Sequence, residues 1–255
     1  MIKKVSILWS ILLLLILPFE NNAQDVTALL KEAQQLESSF KDNEALQKYI
    51  EVLKHQSNNL TALCKVSELY SLLGKRQTTK EKQKEYYRTA KTYAQKALQV
   101  NANSSDANFV MSAAMGRIAM VSSGDDKIKA IKDIKAFAEK SIQLDPNNFK
   151  AYHVLGKWHY EVSDLNSFEK WLVKITYEAL PKASLDESIM YYEKSRQLNP
   201  GFALNYLELA RAWNRKGNRK KAVELLEAMM KLPNTFSDDP KIKEQGKELL
   251  KEWKK

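Results

Sequence analysis

The turns Asp145-Pro146-Asn147-Asn148 and Asn199-Pro200-Gly201 each close one helical stretch and open another. Each follows the same seven-residue spacing of small or apolar residues. Asn, Pro and Gly clustered at a fixed offset from an apolar period are the punctuation of a helix end. A chain that repeats this punctuation is an array of helical hairpins, not a fold built around one pocket. Neither half of such a hairpin buries its apolar face alone, so neighbours must stack to complete a core. What the stack offers another molecule is a groove.

Composition agrees. With 44% apolar residues, 7 Gly, 6 Pro and no strand-like alternation, the 255 residues favour an all-helical fold. A core of that size needs neither disulfides nor metal. Cys64, the single cysteine, lies within a helical apolar pattern and reads as a small buried hydrophobe rather than a nucleophile.

Residues 1–24 form a unit apart. Lys3 and Lys4 precede the apolar run 5–17, followed by Pro18 and a polar stretch with Ala23 near its end. That is the order of a cleaved secretory signal, and the run is shorter than a membrane span. The expected location is a bacterial periplasm, with an uncleaved N-terminal anchor as the alternative. The chain carries a formal charge of +10. Losing Lys3, Lys4 and Glu20 with the signal leaves it one unit less positive. A basic balance suits acidic proteins or anionic lipid. Export argues against nucleic acid, and Lys–Glu interleaving marks much of the charge as a solvated face.

Residues 25–255 are expected to form one repeat domain. Along the first (A) helix of four hairpins, position four holds Leu63, Asn108, Tyr152 and Tyr206, of which Asn108 fits a bulky site poorly. Position seven holds Val66, Met111, Leu155 and Leu209, and position eight the small residues Ser67, Ser112, Gly156 and Ala210. Position eleven holds Tyr70, Met115, His159 and Trp213. The second (B) helices repeat Ala90/Ala94/Ala97, Ile134/Ala138/Ser141, Ser188/Tyr192/Ser195 and Ala222/Leu226/Met229. This follows the tetratricopeptide pattern of about 34 residues. The expected fold is therefore an all-α, tetratricopeptide-like helical-hairpin solenoid of about five repeats. A weaker first unit ends at Ser57. Excess residues are expected between helices A and B, the largest block of them in an insertion at 163–183. Pro240, Ile242, Leu249, Leu250 and Trp253 predict a C-terminal capping helix at about 239–254.

The fourth hairpin carries a resemblance. His153, Leu155, Gly156 and Trp158 in "HVLGKWHYEV", then Phe168, Glu169, Pro181 and Asn199-Pro200-Gly201, resemble the regulator of microtubule dynamics family, a divergent tetratricopeptide family. The upstream "DDKIKAIKDIKAFAEKSIQLDP" is similar too, and the likeness runs over about 106–250 and faintly over 30–105. The resemblance implies the helical-repeat fold and links to microtubules, mitochondria and, in one branch, phospholipid binding at membrane contact sites. This chain reads as a secreted, bacterial-type relative, and a secreted protein should not meet tubulin.

No catalytic constellation is present: no G-x-S-x-G, P-loop or H-E-x-x-H. The chain is expected to be non-enzymatic, with no metal and no cofactor. Of its histidines, His55, His153 and His159, the last falls on a packing position. Groove positions two, five, nine and twelve give Lys150, His153, Lys157 and Tyr160 in the fourth unit. The fifth gives Leu204, Leu207, Arg211 and Asn214, and the second gives Thr61, Cys64, Glu68 and Ser71. The set lacks the Lys/Asn clamp that grips C-terminal carboxylates in chaperone-binding domains. A partner protein or peptide is the expected ligand, met by Lys150, His153, Lys157, Tyr160, Leu207, Arg211 and Asn214. The alternative is an anionic phospholipid held by the groove and the insertion. In the insertion, Leu165, Phe168, Trp171, Leu172 and Ile175 at helical spacing, with Lys170 and Lys174, suit a lid or an extra packed helix. Phe168, Trp171 and Lys174 are its candidate contact residues.

Overall fold

The computed structural model describes residues 17–122, 125–165 and 182–255, without the side chains of 17–24, 125–130 and 132. Among the described residues there are eleven helices and no strand. They are α1 (Leu17–Ser38), α2 (Asp42–His55), α3 (Leu60–Lys75), α4 (Lys80–Val100), α5 (Ser105–Val121) and α6 (Asp125–Leu144). Then come α7 (Phe149–Val162), α8 (Leu185–Leu198), α9 (Ala203–Arg215), α10 (Arg219–Met230) and α11 (Asp239–Trp253). Helices pair as α1/α2, α3/α4, α5/α6, α7/α8 and α9/α10, and α11 packs on the last pair. The A helices α3, α5, α7 and α9 touch in series and continue to α11. This is the expected solenoid of five hairpins and a cap.

The turns hold because polar side chains satisfy the free N–H groups at helix starts. Asn59, Thr79, Ser104, Asn148, Ser184 and Asn218 each accept a hydrogen bond from the backbone three residues on. At the second Pro turn, Asn199 accepts from the Gly201 N–H at 3.0 Å. Asn108 fits its bulky site after all: its amide donates to the carbonyls of Ala102 and Ser104 at 3.0 and 2.8 Å, bracing the turn before α5.

Small residues let A and B helices cross closely. Ser67, Ser112, Gly156 and Ala210 are all buried. A Cβ at Gly156 would stand 2.6 Å from the ring of Tyr192, and Ser188 Oγ donates to the Gly156 carbonyl at 2.8 Å. His159 lies in the core as its packing position predicts, 1% exposed and stacked on Tyr191. In the second and third hairpins the residues beyond the 34-residue repeat lengthen the helices themselves, whereas the sequence spacing places them between helices; in the fourth they fall between α7 and α8, as expected. The α3/α4 helices reach 16 and 21 residues, and α5/α6 reach 17 and 20. A lengthened helix satisfies every added backbone group, which a surface loop does not. The insertion residues 166–181 lie outside the described residues.

The two ends of the array meet. Arg76, just after α3, bonds Asp238 before α11 and Asp42 at the start of α2, and Lys75 also pairs with Asp238.

Candidate ligand cavity on the inner face

The A helices present a stripe of side chains to the inner face, where it lines a cavity of about 480 Å³. Contributions come from α3, α5, α6, α7, α9 and α11. Much of the wall is apolar, including Ala113, Ile131, Val154, Trp158 and Leu204. Trp158 is fixed there by its indole N–H, which donates to the Ile131 carbonyl at 2.6 Å. Four cations also line it, Lys75, Arg117, Lys157 and Arg211, together with the carboxylates Glu161 and Glu208.

Glu208 organises one side. Its side chain is 8% exposed and accepts from Lys157 at 3.0 Å and Arg211 at 2.8 Å. Burial opposes its charge, but Lys157 and Arg211 outweigh that and hold its carboxyl below the usual range. Burial likewise opposes the charge on Lys157, and Glu208 and Glu161 raise its pKa in return. His153 faces the same space. Burial pulls its pKa down to about 4 against the opposing Asn205 hydrogen bond. Asn205 donates to the Tyr192 carbonyl, so its oxygen is left to accept from His153 Nδ1–H at 3.0 Å. The histidine is therefore a neutral donor near pH 7.

Of the residues picked from sequence, His153, Lys157 and Arg211 line the cavity, and so does Leu204. Lys150 is turned aside, pairing with Glu68 at 2.6 Å and lying over Phe109. Tyr160 packs against the C-terminal core, beneath Lys157 and Arg215. Leu207 is fully buried in that core. Asn214 is half-buried at the end of α9, where its carbonyl accepts from Gly217. Cys64 is buried, and burial pushes its thiol up to about 12, so it is no nucleophile. Phe168, Trp171 and Lys174 lie outside the described residues.

The lining includes His153 at position five, Gly116 at twelve and Ala113, Lys157 and Arg211 at nine, as expected from sequence, and adds positions six and thirteen beside them. At position five, Leu207 is buried in the C-terminal core whereas His153 lines the cavity. Val154 and Glu208 at position six, and Arg117 and Glu161 at position thirteen, are the residues that reading missed. Their helical spacing was the signal that could have found them.

The family model described as "Regulator of microtubule dynamics protein 1-3" matches residues 29–254. Regulator of microtubule dynamics protein 1 of Bos taurus is 26% identical over 175 residues, covering 68% of this chain and 55% of that protein. Regulator of microtubule dynamics protein 3 of Rattus norvegicus is 23% identical over 229 residues, covering 89% and 49%. The chain thus spans about half the length of these relatives. Among solved structures, TTC0263, a thermophilic TPR protein of Thermus thermophilus, superposes with a TM-score of 0.66 at 11% identity. That match covers 88% of this chain and 98% of the other, and shows a shared fold.

Proposed function

The chain belongs to the regulator of microtubule dynamics protein 1-3 family, and from that premise we propose that it works by binding, not catalysis, holding a segment of a partner protein in the inner cavity. The observation that carries this is the cavity's construction. Successive A helices and the cap all contribute to it, its wall is largely apolar, and among the described residues its lining cations outnumber its carboxylates. Apolar side chains of a bound segment would bury against Val154, Trp158 and Leu204, and an acidic side chain would meet the excess positive charge.

The test is selection of displayed peptides against the mature protein. Selected peptides should lose binding when Ala113→Trp or Val154→Trp fills the cavity. Binding that survives both variants would sink the proposal. An anionic phospholipid is the second reading, favoured by the same apolar wall and cations. A lipid co-purifying with the mature protein in native mass spectrometry, and lost with Ala113→Trp, would establish it instead.

We further propose that residues 1–24 direct export to a bacterial periplasm, so that the partner is an envelope protein and not a microtubule. An intact mass that starts after residue 24 is the expected result. A full-length mass would show the uncleaved anchor.

A further inference from the structure

A glycine inside a helix costs about 0.5–1 kcal/mol relative to alanine, so each one needs a reason. Three have theirs in packing. A Cβ at Gly74 would stand 2.7 Å from the Tyr87 ring, one at Gly156 2.6 Å from the Tyr192 ring, and one at Gly246 would overlap the end of Met229. Gly116, within α5, has no such reason: apart from its chain neighbours and the backbone of its own helical turns, no atom of the described residues lies within 4 Å of where its Cβ would be. The open space beside it is the cavity, whose wall it forms.

Its neighbour Arg117 stands on the same wall and differs from the other cations there. Lys75 pairs with Asp238 at 3.1 Å, Lys157 with Glu208 at 3.0 Å and Arg211 with Glu208 at 2.8 Å. Among the described residues Arg117 has no carboxylate partner. Burial, and after it the charge of Arg117, pushes the Lys75 pKa down against the pull of Asp238. Among the described residues, then, Arg117 is the cavity cation without a carboxylate partner, and it stands beside the bare backbone of Gly116.

We propose that Gly116 and Arg117 form a subsite in which the bound segment lies against α5 and places an Asp or Glu carboxylate on the guanidinium. The absent side chain at 116 permits the close approach. A planar guanidinium takes a carboxylate through two parallel hydrogen bonds. One unpaired cation matches a single negative charge, whereas a phosphomonoester carries about −1.5 to −2 and would leave charge unmet. This inference rests on the partner-binding reading of the cavity.

The test takes a peptide selected as above and measures its affinity by fluorescence anisotropy. Arg117→Gln and replacement of the peptide's acid by its amide should each weaken binding at least about tenfold, and their combination little more than either. Arg117→Glu should recover affinity when the peptide's acid is changed to lysine. Gly116→Leu should weaken binding at least about tenfold while leaving the fold as stable or more so, which removes misfolding as an explanation. Additive effects in the cycle, or a Gly116→Leu protein that binds as wild type, would overturn the subsite alone if Ala113→Trp still abolishes binding. Peptides indifferent to Ala113→Trp would overturn the cavity reading and the subsite with it. Arg117-dependent binding to phosphatidic acid vesicles, with peptides unaffected by Arg117, would assign the position to lipid and contradict the proposal.

Discussion

Arg76 and Asp238 are 162 residues apart in the chain, yet the guanidinium Nε of one donates to the carboxylate of the other at 2.9 Å. Lys75 holds the second carboxylate oxygen at 3.1 Å, and Asp42 accepts from Arg76 at 2.7 Å. The end of α3, the start of α2 and the approach to α11 are thereby tied together. Lys75 and Gln245 carry this closure into the cavity rim.

Asp238→Asn should therefore loosen the closure. Burial opposes the Asp238 charge, but Lys75 and Arg76 hold its carboxyl below the usual range. Its loss should cost about 1–3 kcal/mol, less than for a fully buried pair, because both cations remain partly exposed. Urea unfolding reads the loss. Hydrogen exchange should quicken at the end of α3 and the start of α11, and not in α5.

Alanine at two glycines should act with opposite sign. Gly156→Ala forces a methyl into the Tyr192 ring and should destabilise by about 1–3 kcal/mol. Gly116→Ala meets open space and should stabilise by about 0.5–1 kcal/mol. Thermal unfolding of the two variants side by side checks this.

His153 should make the fold acid-sensitive. Burial holds its folded pKa at about 4, below the ordinary 6.5. The unfolded chain then takes up the proton first, so stability falls as pH drops from about 6.5 to about 4. The full loss is of order 2–3 kcal/mol. His153→Gln should flatten that part of the profile in urea unfolding at a series of pH values.

Glu208→Gln should trade stability for charge. Removing the carboxylate shared by Lys157 and Arg211 leaves two cations facing the cavity. Stability should drop by about 1–3 kcal/mol, and affinity for an acidic peptide should rise with a steeper salt dependence. Unchanged affinity would show that this side of the cavity does not meet the ligand's charge.

The fold was legible because crossing helices impose small residues at fixed places, and Ser67, Ser112, Gly156 and Ala210 are buried as that demands. Asn108 looked misplaced because sequence spacing does not show that its amide ties off a turn. The cavity was legible only in part. Lys157 and Arg211 were found, but their neutralisation by Glu208 was not, since the phase of a stripe depends on how each A helix leans on the next. Leu207 and Glu208 differ by one residue and by the whole distance between core and cavity wall. Arg117 was missed for another reason: α5 is apolar on almost every side, as in "FVMSAAMGRIAMV", so no face stood out as the inner one.

The central claim is that the inner cavity is where a partner segment binds. Its most direct test is a methyl NMR titration of the protein with a selected peptide. The account predicts shifts concentrated at Ile131, Ile134, Val154, Val162 and Leu204, all of which line the cavity. Shifts confined to residues away from the cavity, such as Leu98 in α4 and Val223 in α10, would contradict it.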